Sequence, residues 1–245
     1  MVKFNYRGRL GNNLIQYAAA HLFAQKTGLQ LDLDHGNKKT KGFMKRFNIS
    51  PPRGKGFKKF ININQSNYFQ HLLNPTENTG YNITGWYQTS KLLCNRRDFI
   101  LDLYKCDIQR DTIHQNDCFI HARIGDLLKS SNRKMAYFNP DYLEQQLQTA
   151  RTTFNTVYIS SDTIDYQPLV ELINKYDLTI YQNKPLDTIF FAARFNNLIL
   201  SAGSFSYWMA YFSEATNITV YKNNTQDPLQ RQNAWSYNKS VKFIK

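Results

Sequence analysis

Residues 197–212 read NLILSAGSFSYWMAYF, and this stretch carries the pattern that decides the fold. A short apolar run, Leu198–Ser201, passes into a turn of small residues. A segment with helical spacing of apolar residues, Tyr207–Phe212, follows the turn. The pattern predicts a buried strand, a tight turn and a helix.

The same alternation extends along the chain on both sides of this stretch. Further strands are predicted at Cys118–His121, Thr156–Ser160, Leu178–Tyr181 and Ile218–Tyr221, and further helices at Tyr142–Ala150, Leu169–Tyr176 and Leu186–Arg194. The N-terminal part predicts a strand at Val2–Tyr6, a helix from Leu14 to Ala24 and a strand at Leu29–Leu33. Strands that alternate with helices form parallel sheets, so the predicted fold class is α/β.

The middle of the chain is less regular. Residues 34–85 are rich in Lys, Asn and Gly, and we predict irregular structure there. A helix at Arg96–Lys105 is predicted to link two α/β halves, which sets a domain boundary near residue 110. The expected domains are therefore residues 1–110 and residues 111–245.

The charge balance points to an anionic partner. Thirty-one Lys and Arg residues against eighteen Asp and Glu residues leave a formal charge of +13, which attracts phosphates, nucleic acids or anionic membrane faces. Much of the excess lies between Lys38 and Lys59, where a solvated loop and a peripheral membrane contact fit equally well. The charge and the sixteen tyrosines also fit a basic glycan- or RNA-binding protein, but no RNA-binding motif is present. We expect no nucleic-acid partner.

Cysteine usage and hydropathy favour a cytoplasmic protein. The three cysteines are odd in number and lack paired spacing, so we expect reduced thiols. The start of the chain lacks the apolar core of a signal peptide, and no apolar run is long enough to span a membrane. Any contact with a membrane would then take place at its inner face.

Ligands of parallel α/β proteins bind where strands end, so the segments after strands are candidate sites. The first is Gly8-Arg9-Leu10-Gly11-Asn12-Asn13, between a strand and a helix. Arg9 could pair with a phosphate, and Asn12 could bind a sugar or cap the helix. A plain strand-to-helix turn is the alternative.

The second segment, residues 118–126, reads CFIHARIGD. Arg123 follows the strand and is placed like a phosphate clamp, because a guanidinium stays charged and binds phosphate with two hydrogen bonds. A core histidine at His121 and an ion pair between Arg123 and Asp126 are the alternatives. A metal site on His121 and Asp126 is the poorer interpretation, because no further ligands lie nearby at suitable spacing.

Two more segments carry polar groups. Ser204-Phe205-Ser206 opens the helix of the first stretch, where hydroxyls and N–H groups suit a phosphate or a sugar, or where a serine caps the helix. Residues 84–91 read TGWYQTSK, and their aromatic and polar side chains could bind sugar rings, although core packing of Trp86 is as good an explanation.

Together the four segments resemble the α-1,2-fucosyltransferase family, which is glycosyltransferase family 11-like. They resemble the protein O-fucosyltransferases and α-1,6-fucosyltransferases more distantly. Gly8–Asn12 resembles the G-x-x-G-N start, and Gly85–Lys91 is similar to G-Y-x-Q-S-x-K. His121–Asp126 resembles H-x-R-R-G-D, and Ser204–Trp208 resembles S-S-F-S-W-W.

The resemblance implies a GT-B-like fold of two Rossmann-like α/β domains facing a cleft, with the acceptor on the N-terminal domain and the donor on the C-terminal one. It implies GDP-fucose as donor, a glycan acceptor, an α-1,2 linkage, inversion at the anomeric carbon and no metal.

The resemblance also implies roles for particular residues. Arg123 would bind the diphosphate, His121 and Asp187 would meet the nucleoside, and Ser204, Phe205 and Ser206 would hold the phosphates. Arg9 and Asn12 would close the cleft over donor and acceptor from the opposite domain. Gly11 and Asn12 would count among the donor-binding residues, and Arg9 would count with Arg123 and Asp126 among the catalytic ones.

Two departures from the family pattern leave alternatives open. Ile124 replaces the second arginine of H-x-R-R, and the base that inversion needs is not evident, with Asp126 as the candidate. A transferase for another GDP-sugar, a degenerate transferase that binds GDP without turnover, and a non-catalytic basic glycan- or RNA-binding protein are the alternatives.

Overall fold

The computed structural model describes residues 1–32, 38–54, 57, 59–104, 114–125, 139–222, 229, 232–238 and 240–244. The chain divides into two compact units, Met1–Cys106 and Asp107–Lys245. Each unit is built on a parallel sheet in its described part. The predicted α/β class is therefore confirmed, while the acceptor and donor roles of residues 1–110 and 111–245, and the cleft, stay predictions.

The N-terminal unit is organised around one buried helix. Its elements are β1 (Val2–Phe4), α1 (Leu10–Thr27), β2 (Leu31–Asp32), α2 (Lys38–Arg46), β3 (Phe60–Ile63), α3 (Tyr68–Leu73), β4 (Gly80–Ile83), α4 (Ser90–Leu93) and α5 (Arg97–Leu103). The strands pair in the order β2-β1-β4-β3. Helix α1 is buried almost all round, because small and apolar residues follow one another over Ala18–Ala24 with only His21 partly exposed.

The prediction of irregular structure for residues 34–85 is wrong. This stretch contains α2, β3, α3 and β4, and β4 lies inside the sheet between β1 and β3. Asparagine interrupts the apolar pattern of both new strands, which read FINI and GYNI. Their strand conformation depends on pairing with distant residues, such as Tyr81 with Val2, which a local pattern does not reveal.

The C-terminal unit follows the predicted alternation. Its elements are β5 (His114–Ala122), α6 (Pro140–Thr153), β6 (Val157–Ser161), α7 (Gln167–Lys175), β7 (Thr179–Ile180), α8 (Pro185–Ala192), β8 (Phe195–Leu200), α9 (Ser204–Phe212), β9 (Asn217–Tyr221), a 3₁₀ turn (Gln232–Trp235) and β10 (Val241–Ile244). All the strands run parallel in the order β10-β9-β8-β5-β6-β7. Every predicted element of this half is confirmed within a few residues, and β10 is an addition.

Strand β5 is central and buried on both faces. Cys118, Ile120 and Ala122 belong to a core cluster with apolar residues of α6 and α7. Side chains alternate along a strand, so Phe119 and His121 face the opposite side. There Phe119 contacts the rings of two phenylalanines, and His121 contacts α9. The end of β5 thus lies next to the start of α9.

The described helices and cysteines agree with what the sequence predicts about membrane spans and thiols. In the part of the chain that the structure describes, every helix is too short or too polar to cross a bilayer. Cys94 and Cys118 are free thiols, and Cys106 lies outside the described residues. The compartment and the membrane contact stay predictions.

Candidate active site

The start of α9 comes directly after β8, at the end of a parallel strand. Gly203 is its N-cap residue, and no side chain caps the helix there. The alternative that Ser204 or Ser206 caps the helix is therefore wrong, because both residues lie inside its first turn. The first N–H groups of a helix have no carbonyl partner within the helix and carry partial positive charge. This end of α9 therefore favours an anion.

The Arg123 guanidinium reaches the same point. Its Nη1 atom lies so close to Gly203 that a Cβ atom on residue 203 would force the guanidinium to move. Gly203 also adopts φ 117°, a conformation that other residues rarely take. The Arg123 backbone N–H donates to Ser201 Oγ at 3.0 Å, which fixes the chain just before the side chain turns toward α9. A cation and a helix N-terminus thus converge, as expected for a phosphate clamp.

His121 links β5 to α9. Its Nδ1 atom lies 2.6 Å from Ser206 Oγ, and its ring centroid lies 5.1 Å from that of Phe205. Burial lowers the pKa of His121 to about 4; the Asp162 charge opposes this shift and the Arg123 charge adds to it. The imidazole is therefore neutral at pH 7. The core-histidine alternative holds in part, since His121 is only 5% exposed, but it lies in the same cluster as Arg123.

Asp162 is a residue of this cluster that the sequence analysis missed. Its Oδ1 atom accepts hydrogen bonds from the backbone N–H groups of Ile124 at 2.7 Å and Gly125 at 2.8 Å. The carboxylate ties the segment after β5 to the end of β6, 38 residues along the chain. Asp162 directly follows β6 and lies two residues after the predicted strand Thr156–Ser160, and that position was the signal that could have identified it.

Asp187 and Asp126 are the two acidic residues that were predicted for the site, and the structure describes only Asp187. Asp187 lies in the first turn of α8, where the helix dipole stabilises its charge. Helix α8 follows β7, so Asp187 lies at the edge of the sheet where β5 and β8 also end. Its role toward a nucleoside stays a prediction. Asp126 lies outside the described residues.

In the N-terminal unit, two buried amides hold the loop before α1. Gln16 Oε1 accepts the backbone N–H of Arg7 at 3.0 Å, and Asn13 Nδ2 donates to the Arg7 carbonyl at 3.0 Å. Both side chains are fully buried. Arg9 follows as the exposed N-cap residue of α1. Asn13 and Gln16 are polar residues within a largely apolar helix sequence. This pattern could have indicated that they support the loop, but the sequence analysis did not use it.

The first and fourth sequence segments meet in this unit. Asn12 Oδ1 accepts a hydrogen bond from Gln88 Nε2 at 2.8 Å, while Gly11 is buried in the first turn of α1. Asn12 does not cap the helix, because Arg9 is the N-cap residue. The structure therefore brings Asn12 together with the segment around Trp86, and brings Arg123, His121 and the serines of α9 together in the C-terminal unit.

Metal ligands do not form a cluster among the described residues. No group of three or more His, Cys, Asp and Glu side chains there is arranged to hold a metal ion. Whether the reaction needs a metal stays a prediction.

The sequence pattern of the whole chain matches one protein family. The family model of glycosyl transferase family 11 matches residues 1–241. The chain belongs to glycosyl transferase family 11. The resemblance stated from the four segments is thereby confirmed, and this family 11 chain is a glycosyltransferase.

Solved structures include two that resemble this family 11 chain, both of POFUT1 in complex with GDP-fucose. The similarity to one of them covers 99% of this chain and 96% of the POFUT1 chain, at 11% sequence identity and a TM-score of 0.49. The similarity to the other covers 87% of this chain and 94% of the POFUT1 chain, at 9% sequence identity and a TM-score of 0.43. No curated protein sequence matches the chain. The family assignment therefore rests on the family model.

Proposed function

We propose that this glycosyltransferase moves L-fucose from GDP-fucose to a hydroxyl group of a glycan, with inversion and without a metal ion. The observation that carries the proposal is the Arg123 guanidinium beside the uncapped start of α9. A fixed positive charge and a helix N-terminus are the groups that bind a diphosphate. Membership of family 11 supports the sugar transfer, and the resemblance of the four segments to α-1,2-fucosyltransferases supports fucose and the α-1,2 linkage.

The proposed chemistry is a single displacement. The acceptor oxygen forms a bond to the anomeric carbon while the bond from that carbon to the diphosphate oxygen breaks. GDP leaves with the electron pair, and a base accepts the proton of the acceptor hydroxyl. The anomeric carbon gains oxocarbenium character in the transition state.

Arg123 and the N–H groups of α9 would stabilise the charge that develops on departing GDP. Such groups act most strongly where charge grows in the transition state, and they take the role that a metal ion has in other transferases. The serines of α9, Ser204 and Ser206, supply hydroxyls at the same point, and Ser206 also fixes His121.

The nucleoside would lie against His121, Phe205 and Asp187. The lowered pKa of His121, caused mainly by burial, keeps its imidazole neutral, so it hydrogen-bonds a base or ribose without attracting a second anion. Phe205 offers a ring beside it. Asp187 offers a carboxylate that can accept hydrogen bonds from the amino and imino groups of guanine.

Arg9, Gly11 and Asn12 are proposed as functional residues of the N-terminal unit, and Asp126 is proposed as the base. The acceptor role of residues 1–110 and the donor role of residues 111–245 belong to the same proposal, in keeping with the family resemblance.

Calorimetric titration with GDP-fucose, GDP-mannose, GDP and UDP, in EDTA, tests the donor. We expect the guanine nucleotides to bind more tightly than UDP, and GDP-fucose more tightly than GDP-mannose. Equal affinity for UDP would remove the nucleoside assignment, and a preference for GDP-mannose would replace fucose as the donor sugar. A requirement for Mn²⁺ or Mg²⁺ would contradict metal independence.

Product analysis tests the stereochemistry and the linkage. With lactose as the probe acceptor, NMR of the product gives the anomeric configuration of the transferred fucose and the hydroxyl that carries it. Inversion predicts an α-linked product from the β-linked donor, and the proposed α-1,2 linkage predicts that a 2-hydroxyl group carries the fucose. Retention of configuration would exclude the single displacement.

A further inference from the structure

The segment after β4 exposes one aromatic side chain and buries the next. Trp86 is 43% exposed, whereas Tyr87 is 1% exposed. The Tyr87 ring packs against Phe4 and Tyr68, and its hydroxyl donates to the Thr84 carbonyl at 3.1 Å. Tyr87 therefore anchors this segment in the core, and Trp86 is presented on the surface beside it.

The backbone around Trp86 is held in rarely occupied conformations. Gly85 has φ 145°, and Tyr87 has φ 56°, in the left-handed region that a bulky residue avoids. The Gln65 side chain accepts the backbone N–H of Tyr87 at 3.1 Å and helps to hold it there. Strain of this kind is concentrated at ligand-binding positions. A single exposed tryptophan needs no explanation, but Trp86 is exposed directly beside a bulky residue in the left-handed region.

Trp86 lies next to a pair of side-chain amides, one from the first turn of α1 and one from the segment after β4. A Cβ atom on Gly8 would lie 3.0 Å from Trp86 Cζ3 and 2.6 Å from Asn12 Nδ2, so the indole edge and the amide both lie close to the Gly8 backbone. Gln88 Nε2 donates to Asn12 Oδ1 and fixes both amides. Helix α1 and the Trp86 segment come after β1 and β4, which are adjacent parallel strands and end at the same edge of the sheet.

We propose that Trp86, Gln88 and Asn12 form a carbohydrate-binding subsite for the acceptor glycan. The apolar C–H face of a pyranose ring would stack on the exposed indole, and the two amides would bind its hydroxyl groups. A glycosyltransferase must hold an acceptor sugar, and a flat apolar ring bordered by uncharged amides matches a neutral sugar better than a nucleotide phosphate. The assignment to the acceptor rests on the proposed function, which puts the donor at Arg123.

The tryptophans of this chain allow a direct binding test that does not depend on transfer. Trp208 and Trp235 are 0% and 3% exposed, so acrylamide quenching of tryptophan fluorescence reports chiefly on Trp86. The probes are lactose, N-acetyllactosamine, chitobiose and maltose. At least one of them should shield Trp86 from acrylamide, and that shielding should persist without any GDP-sugar. If none of the four disaccharides shields Trp86, the subsite is wrong, whatever the donor titration shows.

Kinetics with the disaccharide that shields Trp86 separate acceptor from donor. Trp86→Ala should raise the acceptor KM by about tenfold or more with little change in kcat and in GDP affinity, and Trp86→Phe should restore part of the loss. Leu73→Ala is the matched control, because Leu73 is 72% exposed in the same unit and should change neither constant. An unchanged acceptor KM in Trp86→Ala, or an equal loss of GDP affinity, would overturn the assignment. Failure of GDP binding in the unmodified protein would instead count against the proposed function alone.

Discussion

At the level of single side chains, the positively charged guanidinium of Arg123 lies beside the start of α9. The helix N-terminus adds a partial positive charge at the same point. Arg123→Ala should therefore weaken GDP binding about tenfold to hundredfold, which corresponds to about 1.5–3 kcal/mol for a charge-assisted contact. Arg123→Lys should restore part of it, because an ammonium lacks the planar fork. Calorimetry measures both variants. Arg151→Ala, an exposed arginine on α6, serves as control, and an unchanged affinity in Arg123→Ala would remove Arg123 from the site.

Asp162 holds the backbone of the two residues that follow Arg123, so we expect its effect on GDP binding to depend on Arg123. Asp162→Ala removes the acceptor of two N–H groups and should weaken GDP binding by roughly 1–2 kcal/mol, whereas Asp162→Asn keeps an oxygen acceptor and should lose less. In an Arg123→Ala background the same change should have almost no further effect. Additive losses in this double-mutant cycle would mean that Asp162 acts independently, and Asp165→Ala is the exposed neighbouring control.

At the level of elements, the junction between β8 and α9 depends on the absence of a side chain at residue 203. Gly203→Ala introduces strain at φ 117° and a Cβ atom where the Arg123 guanidinium lies. We expect a loss of about 1–3 kcal/mol in the free energy of unfolding together with weaker GDP binding. Denaturant unfolding and calorimetry measure the two effects.

A second glycine is the control for that substitution. Gly42 lies within helix α2, and a Cβ atom there meets nothing within 4 Å. Gly42→Ala should therefore stabilise the protein by about 0.5–1 kcal/mol and leave GDP binding unchanged. If Gly203→Ala were as harmless as Gly42→Ala, the close approach of Arg123 to α9 would be wrong.

At the level of the whole molecule, each unit contains a histidine that burial keeps neutral. Burial lowers the pKa of His121 to about 4 in one unit and that of His21 to about 4 in the other. An unfolded histidine has a pKa of about 6.5, so between these values the unfolded chain binds protons that the folded chain does not. Stability should therefore fall as the pH decreases from about 6.5 toward 4, by up to about 1.4 kcal/mol per pH unit for one such histidine.

Urea unfolding at a series of pH values measures this dependence. The variant His121→Asn removes one titrating group, so its free energy of unfolding should fall less steeply with decreasing pH than that of the unmodified protein. Parallel curves for the two proteins would show that His121 does not titrate with a lowered pKa.

The sequence and the tertiary structure contributed different parts of this picture. Alternating strands and helices in the C-terminal half were predictable, because apolar periodicity is a property of neighbouring residues. The segments around Arg9, Arg123, Ser204 and Trp86 were recognisable for the same reason, and together they identified the family. The sheet inside residues 34–85 was not predictable, because asparagines mask its short strands until β4 pairs with β1.

What the sequence determined by itself was the α/β class, the family and the identity of the charged and hydroxyl groups at strand ends, because each depends on residues within a few positions of one another. The tertiary structure decided which of these groups meet. Arg123 lies against Gly203, His121 bonds Ser206, and Asp162 holds the backbone of Ile124 only because strands far apart in sequence pair side by side. Pairing between distant strands depends on the packing of the whole unit, and no local pattern encodes it.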